Sequence, residues 1–277
     1  MCKIGGRPVA TKPAARIHLE NDMPKAPSRL LVLLVSLMIA TCAVCSACAR
    51  EKHAMPTEAV DVHAVFADPK VAALAEAVAD GDAARVRSLA VGVDLSTHGD
   101  KNVTLLQWAV LNRSLAGMKA LLDAGADPTQ PGMDSDTVVH LAAMANDDAY
   151  LSELLARGVD PNVRNAESGA GPLRAALMGE RDEQFRALLA AGADPDLADR
   201  MGNTPLHVAG QINEPQRALD LLNAGADPMA RNAQGVTFQR YLFMTRAALL
   251  NADTRRSREA VEAWLAAHQI PLESAAR

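Results

Sequence analysis

Three cysteines at a spacing of three residues, Cys42, Cys45 and Cys48, are the first side chains in this 277-residue chain that could do chemistry. In isolation, Cys42-x-x-Cys45-x-x-Cys48 suggests a metal or redox cluster, whose thiolate ligands need a folded polar shell around them. The surroundings argue otherwise. Lys25 and Arg29 precede the apolar run Leu30 to Ala40, and no charge appears from Leu30 to Ala49. A basic segment followed by an apolar one is the signature of an export signal, so no metal site is expected. Two further groups invite a catalytic reading: His140 and His207, and the carboxylates Asp127, Asp160, Asp194 and Asp227. Each group recurs at one fixed interval, which makes it part of a repeated structural unit. The chain contains no Gly-x-Ser-x-Gly elbow, His-Glu-x-x-His helix or phosphate-binding glycine loop. Neither a cofactor nor catalysis is expected.

The leader reads as residues 1–48, with Met23 an alternative start that would bring the apolar run close to the amino terminus. Cys45-Ser-Ala-Cys48 resembles a bacterial lipoprotein signal, in which a cysteine after small residues is lipidated; it departs from that pattern at its first position. Ile39-Ala-Thr-Cys42 is a second match, departing at Thr41. Two other readings stay open: cleavage after Ala47-Cys48-Ala49, and an uncleaved anchor, since about 20 uncharged residues can span a bilayer. All three place the following domain outside the cytoplasm, on the periplasmic side of the envelope. Residues 49–67 carry mixed charge and Pro56 without helical period, and read as a polar tether.

Composition narrows the possible partners. Only 3% of residues are aromatic, against 49% hydrophobic, so there is no stacking platform for single-stranded nucleic acid. Residues 1–48 hold six of the 28 basic and two of the 33 acidic residues; the remainder has 22 against 31, a net charge of −9. Such a surface does not suit phosphate backbones, and no nucleic-acid partner is expected. All four cysteines precede residue 49, which excludes a disulfide framework beyond it.

Internal repetition organises the rest. Leu121-Leu-Asp-Ala-Gly-Ala-Asp-Pro128 recurs as residues 154–161, 188–195 and 221–228, with a weaker copy at 88–95. Gly92, Gly125, Gly158, Gly192 and Gly225 are separated by 33, 33, 34 and 33 residues. Heads lie 21 residues before the last four glycines: Thr104-Leu-Leu-Gln107, Thr137-Val-Val-His140, Gly171-Pro-Leu-Arg174 and Thr204-Pro-Leu-His207. Threonine caps a first helix, proline fits its first position, and glycine ends a second helix in the left-handed region. Asp-Pro then turns the chain.

This pattern resembles ankyrin repeats, whose 33-residue unit has a Thr-Pro-Leu-His head. The resemblance implies an all-α ankyrin-repeat solenoid over residues 68–270. Its parts are an amino-terminal cap (68–95), four repeats (96–129, 130–162, 163–196, 197–229) and a carboxy-terminal cap (230–270), with a tail at 271–277. It also implies that His140 and His207 bond backbone across neighbouring loops, and that the fourth residue after each head position faces a concave groove. That register holds Trp108, Leu141, Ala175, Val208 and Tyr241, and four residues further Asn112, Ala145, Gly179, Ile212 and Thr245. Partner-binding residues expected there are Trp108, Asn112, Leu141, Val208, Ile212 and Tyr241, with the alternative that Trp108 and Tyr241 only cover packing near the caps. Loop tips offer Asp100, Lys101, Met133, Asp134, Glu167, Arg200, Met201 and Gln234. The expected partner is a protein with a basic patch, bound by a monomer that a lipid anchor or uncleaved signal holds to a membrane. Exported ankyrin proteins with such leaders are similar to immunity proteins that occlude a toxic effector, for example a phospholipase; an envelope scaffold is the alternative. A palmitate analogue is expected to label the chain, and Cys48→Ser with Cys42→Ser to abolish the label; labelling unchanged by both substitutions excludes lipidation at these residues.

Overall fold

The computed structural model describes residues 61–273. The leader, its cysteines and residues 274–277 lie outside them. The described residues are helical, with no strand among them. After a single turn, α1 (Val62–Val65), they form six helix pairs: α2 (Pro69–Ala79) with α3 (Ala83–Ala90), α4 (Leu105–Leu111) with α5 (Leu115–Asp123), α6 (Val138–Met144) with α7 (Ala149–Ala156), α8 (Pro172–Met178) with α9 (Asp182–Ala190), α10 (Pro205–Gln211) with α11 (Pro215–Asn223), and α12 (Phe238–Leu242) with α13 (Ala252–Ala267). Along the first five pairs each helix packs on its own partner and on an adjacent pair, while α12 packs on α10 and α13 on α11, the neighbour-to-neighbour arrangement of a solenoid.

The repeated residues account for these elements. Thr104 Oγ1 accepts from Gln107 N (3.1 Å) and Thr137 Oγ1 from Val139 N (3.2 Å), satisfying donors that have no carbonyl earlier in the helix. Pro172 and Pro205 occupy first helical positions. The repeat glycines stand at φ 82° (Gly92), 93° (Gly125), 77° (Gly158), 87° (Gly192) and 97° (Gly225), where a Cβ would be strained. Asp94, Asp127, Asp160, Asp194 and Asp227 each accept the backbone N–H two residues ahead, at 2.8–2.9 Å. These carboxylates shape turns. Alanine sets the helix spacing: Ala109, Ala142, Ala143, Ala176 and Ala209 are fully buried. Of each leucine pair the first, Leu121, Leu154, Leu188 or Leu221, is fully buried, while Leu122, Leu155 and Leu189 only lean on the core. The extra residue of the third repeat lies in its loop tip. Asn165 N there reaches Ala170 O (2.9 Å), a span one residue longer than Asp199 N to Asn203 O (3.0 Å) in the next loop.

Both ends of the solenoid extend further than expected. The stretch read as tether to residue 67 is structured from Asp61, whose carboxylate caps α1 by accepting from His63 N (3.0 Å). Phe66 is 1% exposed and meets the Trp108 ring edge-on, with centroids 5.6 Å apart. Mixed charge hid the two apolar residues, Val65 and Phe66, that cover the open end of the first pair. At the other end α13 starts at Ala252, because Asn251 caps it by accepting from Thr254 N (2.8 Å). Residues read as tail also belong to the fold: Gln239 donates to Pro271 O (3.3 Å) and accepts from Glu273 N (3.1 Å). Phe66→Ala is expected to cost about 3–5 kcal/mol in urea unfolding, the usual range for deleting a buried aromatic ring. A loss well under 1 kcal/mol would show that the α1 segment does not close the solenoid.

Candidate functional site

Each first helix presents two faces. With 3.6 residues per turn, the first, second, fifth and sixth residues after the cap point to the core, and the third, fourth and seventh share the opposite face. The third position is buried in three units, where it links the unit to the next loop. Gln107 accepts from Thr104 N (3.2 Å) and donates to Asp136 O (2.9 Å). His140 Nδ1 accepts from the Thr137 hydroxyl (3.0 Å) while Nε2–H donates to Ala170 O (3.0 Å). His207 repeats this with Thr204 (2.9 Å) and Val236 O (3.0 Å). A carbonyl can only accept, so each imidazole carries its proton on Nε2. Burial pushes both histidines below the ordinary imidazole range, against a weaker upward pull from those carbonyl bonds and nearby carboxylates. They are neutral linkers.

The seventh position is exposed in every central unit and in the last: Leu111 (49%), Met144 (41%), Met178 (51%), Gln211 and Met244 (67%). A cleft of about 600 Å³ runs between the first helices and the loop tips, lined by Met144, Arg174, Ala175 and Met178 on one side and Asp134, Glu167, Arg200 and Met201 on the other. A second cleft of about 650 Å³ has Leu111, Leu141, Met144 and Ala145 in its lining, and Met144 joins the two. The groove floor is therefore a row of flexible, polarisable thioethers and leucines, a surface that adapts to apolar partners. Asp134, Asp136, Glu167 and Asp199 give its rim more negative than positive charge.

The residues expected in the groove fare unequally. Trp108 is 6% exposed; its Nε1–H donates to Ala75 O (2.9 Å) and its ring packs on Phe66, so it holds the first two pairs together and is not open to a partner. Val208 is also buried, at 2%. Trp108 thus turns under the preceding pair. Tyr241 is half-buried, donating to Gln234 Oε1 (3.0 Å) and accepting from Asn232 Nδ2 (2.9 Å), which ties the last loop to α12. Asn112 is exposed but donates to Trp108 O (2.8 Å). Leu141 reaches the cleft, and Ile212 is half-buried outside both clefts. Of the loop tips, Asp134, Glu167, Arg200 and Met201 line the groove. Asp100, Lys101, Met133 and Gln234 do not, although all but Met133 are well exposed. The seventh-position row went unread, although methionine or leucine recurs there at the repeat interval in four units.

Among the described residues no cluster of His, Cys, Asp or Glu could hold a metal ion, and no helix is long and apolar enough to cross a membrane. A family model described as ankyrin repeats, in three copies, matches residues 139–232. The crystal structure of EF0377, an ankyrin repeat protein, superposes with a TM-score of 0.57 at 25% identity, covering 70% of this chain and 97% of that one. This protein is an ankyrin-repeat solenoid, a fold that ordinarily serves as a scaffold for binding other proteins. It is similar to protein PhlB of Serratia liquefaciens, 50% identical over 141 residues that make up 51% of this chain and 62% of PhlB. A more distant likeness is to the nuclear factor NF-kappa-B p105 subunit of Gallus gallus, 29% identical over 175 residues, 50% of this chain and 18% of that protein. The matched regions thus span less than two thirds of these relatives' own lengths.

The neutral histidines give a signed pH dependence. The unfolded chain takes up protons at these residues below about pH 6.5 while the folded chain resists them, so their contribution is complete above that pH and lost below it. The melting temperature is expected to fall between about pH 6.5 and 5. His140→Gln with His207→Gln, which copies the Gln107 linkage, should flatten most of that slope; an unchanged slope would assign it to other groups.

Proposed function

We propose that this protein is an exported, membrane-tethered binding module that acts without chemistry of its own, and most specifically an immunity protein that seizes and occludes a toxic effector. The observation that supports binding is the groove: a continuous apolar floor from Leu111 through Met144 to Met178, open to solvent, under a rim with more carboxylates than guanidinium groups. Side chains that could have been catalytic are otherwise engaged, the buried histidines as linkers and the repeat aspartates as turn formers. Apolar contact supplies most of the affinity at such a surface, and the acidic rim selects a partner with a basic patch and speeds its approach. Export and tethering rest on the basic-then-apolar leader and its terminal cysteines.

The decisive experiment pairs this chain with a toxin-like protein encoded beside it. A one-to-one complex, loss of the effector's activity within it, and growth arrest when the gene for this chain is deleted are the expected results. Met144→Asp with Met178→Asp should weaken that complex by about a hundredfold, since two carboxylates would then be desolvated against apolar side chains. Normal growth after deletion, accompanied by loss of an envelope enzyme's activity, would instead make the chain a scaffold. Hydrolase activity of the purified chain that disappears with His140→Ala would overturn the non-catalytic reading.

A further inference from the structure

The third-position side-chain bond between units is missing in one central repeat. In the first, second and fourth repeats the third residue after the cap donates to the carbonyl just before the next cap: Gln107 to Asp136 O, His140 to Ala170 O and His207 to Val236 O. In the third repeat that residue is Arg174, and the equivalent carbonyl, Asn203 O, is reached only by the backbone of Asp199 (3.0 Å). Arg174 lines the same cleft as Met144 and Met178, and its Nε is buried without a hydrogen-bond partner. Arg200, the other cation of that cleft, is engaged with Ala166 O (2.9 Å). A buried donor without an acceptor costs free energy, and an acceptor that a partner supplies to this half-buried guanidinium recovers it.

We infer that Arg174 is the anchor of the partner's binding segment, receiving a single carboxylate that the partner carries between apolar side chains. The planar fork of donors matches a carboxylate bidentately, and Met144 and Met178 in the same cleft call for apolar neighbours to that acid. The rim narrows the choice. Asp134, Asp136, Glu167 and Asp199 line the same cleft, so a polyanion is repelled, while one acid set in an otherwise apolar or basic segment places positive groups toward those carboxylates. This inference rests on the protein-binding reading above and adds the chemistry that the partner must present.

The test is panning a random-peptide phage library on the whole chain, with Arg174→His and Arg174→Gln as counter-selections. Both variants install linkers already used at this position, so the fold should hold and the melting temperature stay level or rise. The enriched peptides are expected to share one acidic residue flanked by apolar ones. A synthetic copy of such a peptide should bind either variant about tenfold to a hundredfold more weakly, the usual loss for a charge-assisted bond. Replacing its acid by the amide should weaken binding to the native chain by a similar factor and leave binding to Arg174→His unchanged. Peptides that lack an acid, or bind both variants as well as the native chain, would overturn the role of Arg174 and leave the binding groove standing. Undiminished binding of every selected peptide to the variant carrying Met144→Asp with Met178→Asp would overturn the groove itself, and this inference with it.

Discussion

One buried side chain in each of three repeats reaches about thirty residues ahead to a backbone carbonyl, and the solenoid depends on that bond. A stack of helix pairs has no distant contacts to fall back on, since each pair touches chiefly its neighbours. Packing by alanine and leucine holds the pairs together but is non-directional. The bonds from Gln107, His140 and His207 set the angle and distance of the following loop, and two chemically different side chains do so because both present an acceptor and a donor on opposite ends of a short planar group. Backbone bonds between loop tips, such as Arg200 N to Ser168 O (2.8 Å) and Ala233 N to Met201 O (2.8 Å), continue the same register outward.

The groove runs along the seventh position of the first helices, which stays exposed whether the third is a buried linker, as beside Leu111 and Met144, or Arg174, as beside Met178. The neutrality of the histidines follows from the same burial, so rigidity of the scaffold carries a dependence on pH. Where Arg174 replaces the linker, the third-position bond to the next loop is missing, that loop is held by Arg164 to Ala198 O and Arg200 N to Ser168 O, and a cation is placed in the cleft. The two effects have one cause: a side chain with no acceptor atom but five donors cannot bridge as glutamine or neutral histidine does.

The repeat itself was legible because its parts obey local rules. Threonine before a helix, glycine after one, and aspartate two residues before a turn's N–H act over a few residues and need no knowledge of the fold. The groove was legible only in outline. The fourth position after the cap lies on the correct helical face, yet Trp108 and Val208 are buried, Trp108 by the preceding pair, while Leu141 reaches a cleft. The same ambiguity hid the solenoid's first turn, since the short apolar run Ala64 to Ala67 lies in a stretch of mixed charge and Phe66 is buried against the distant Trp108 and Gly99.

The sequence by itself determined the unit, its period, its turns and the side chains available for linkage, because those depend on contacts within some thirty residues. It also determined that no cysteine belongs to the solenoid. Only the tertiary structure decided which members of an equivalent set face a partner: why Met144 and Met178 form a floor, why Trp108 is a clasp, and why Arg174 is left with an unmatched donor. Exposure is a property of what the adjacent unit covers, and two residues at identical positions in a repeat differ in it when their neighbours differ.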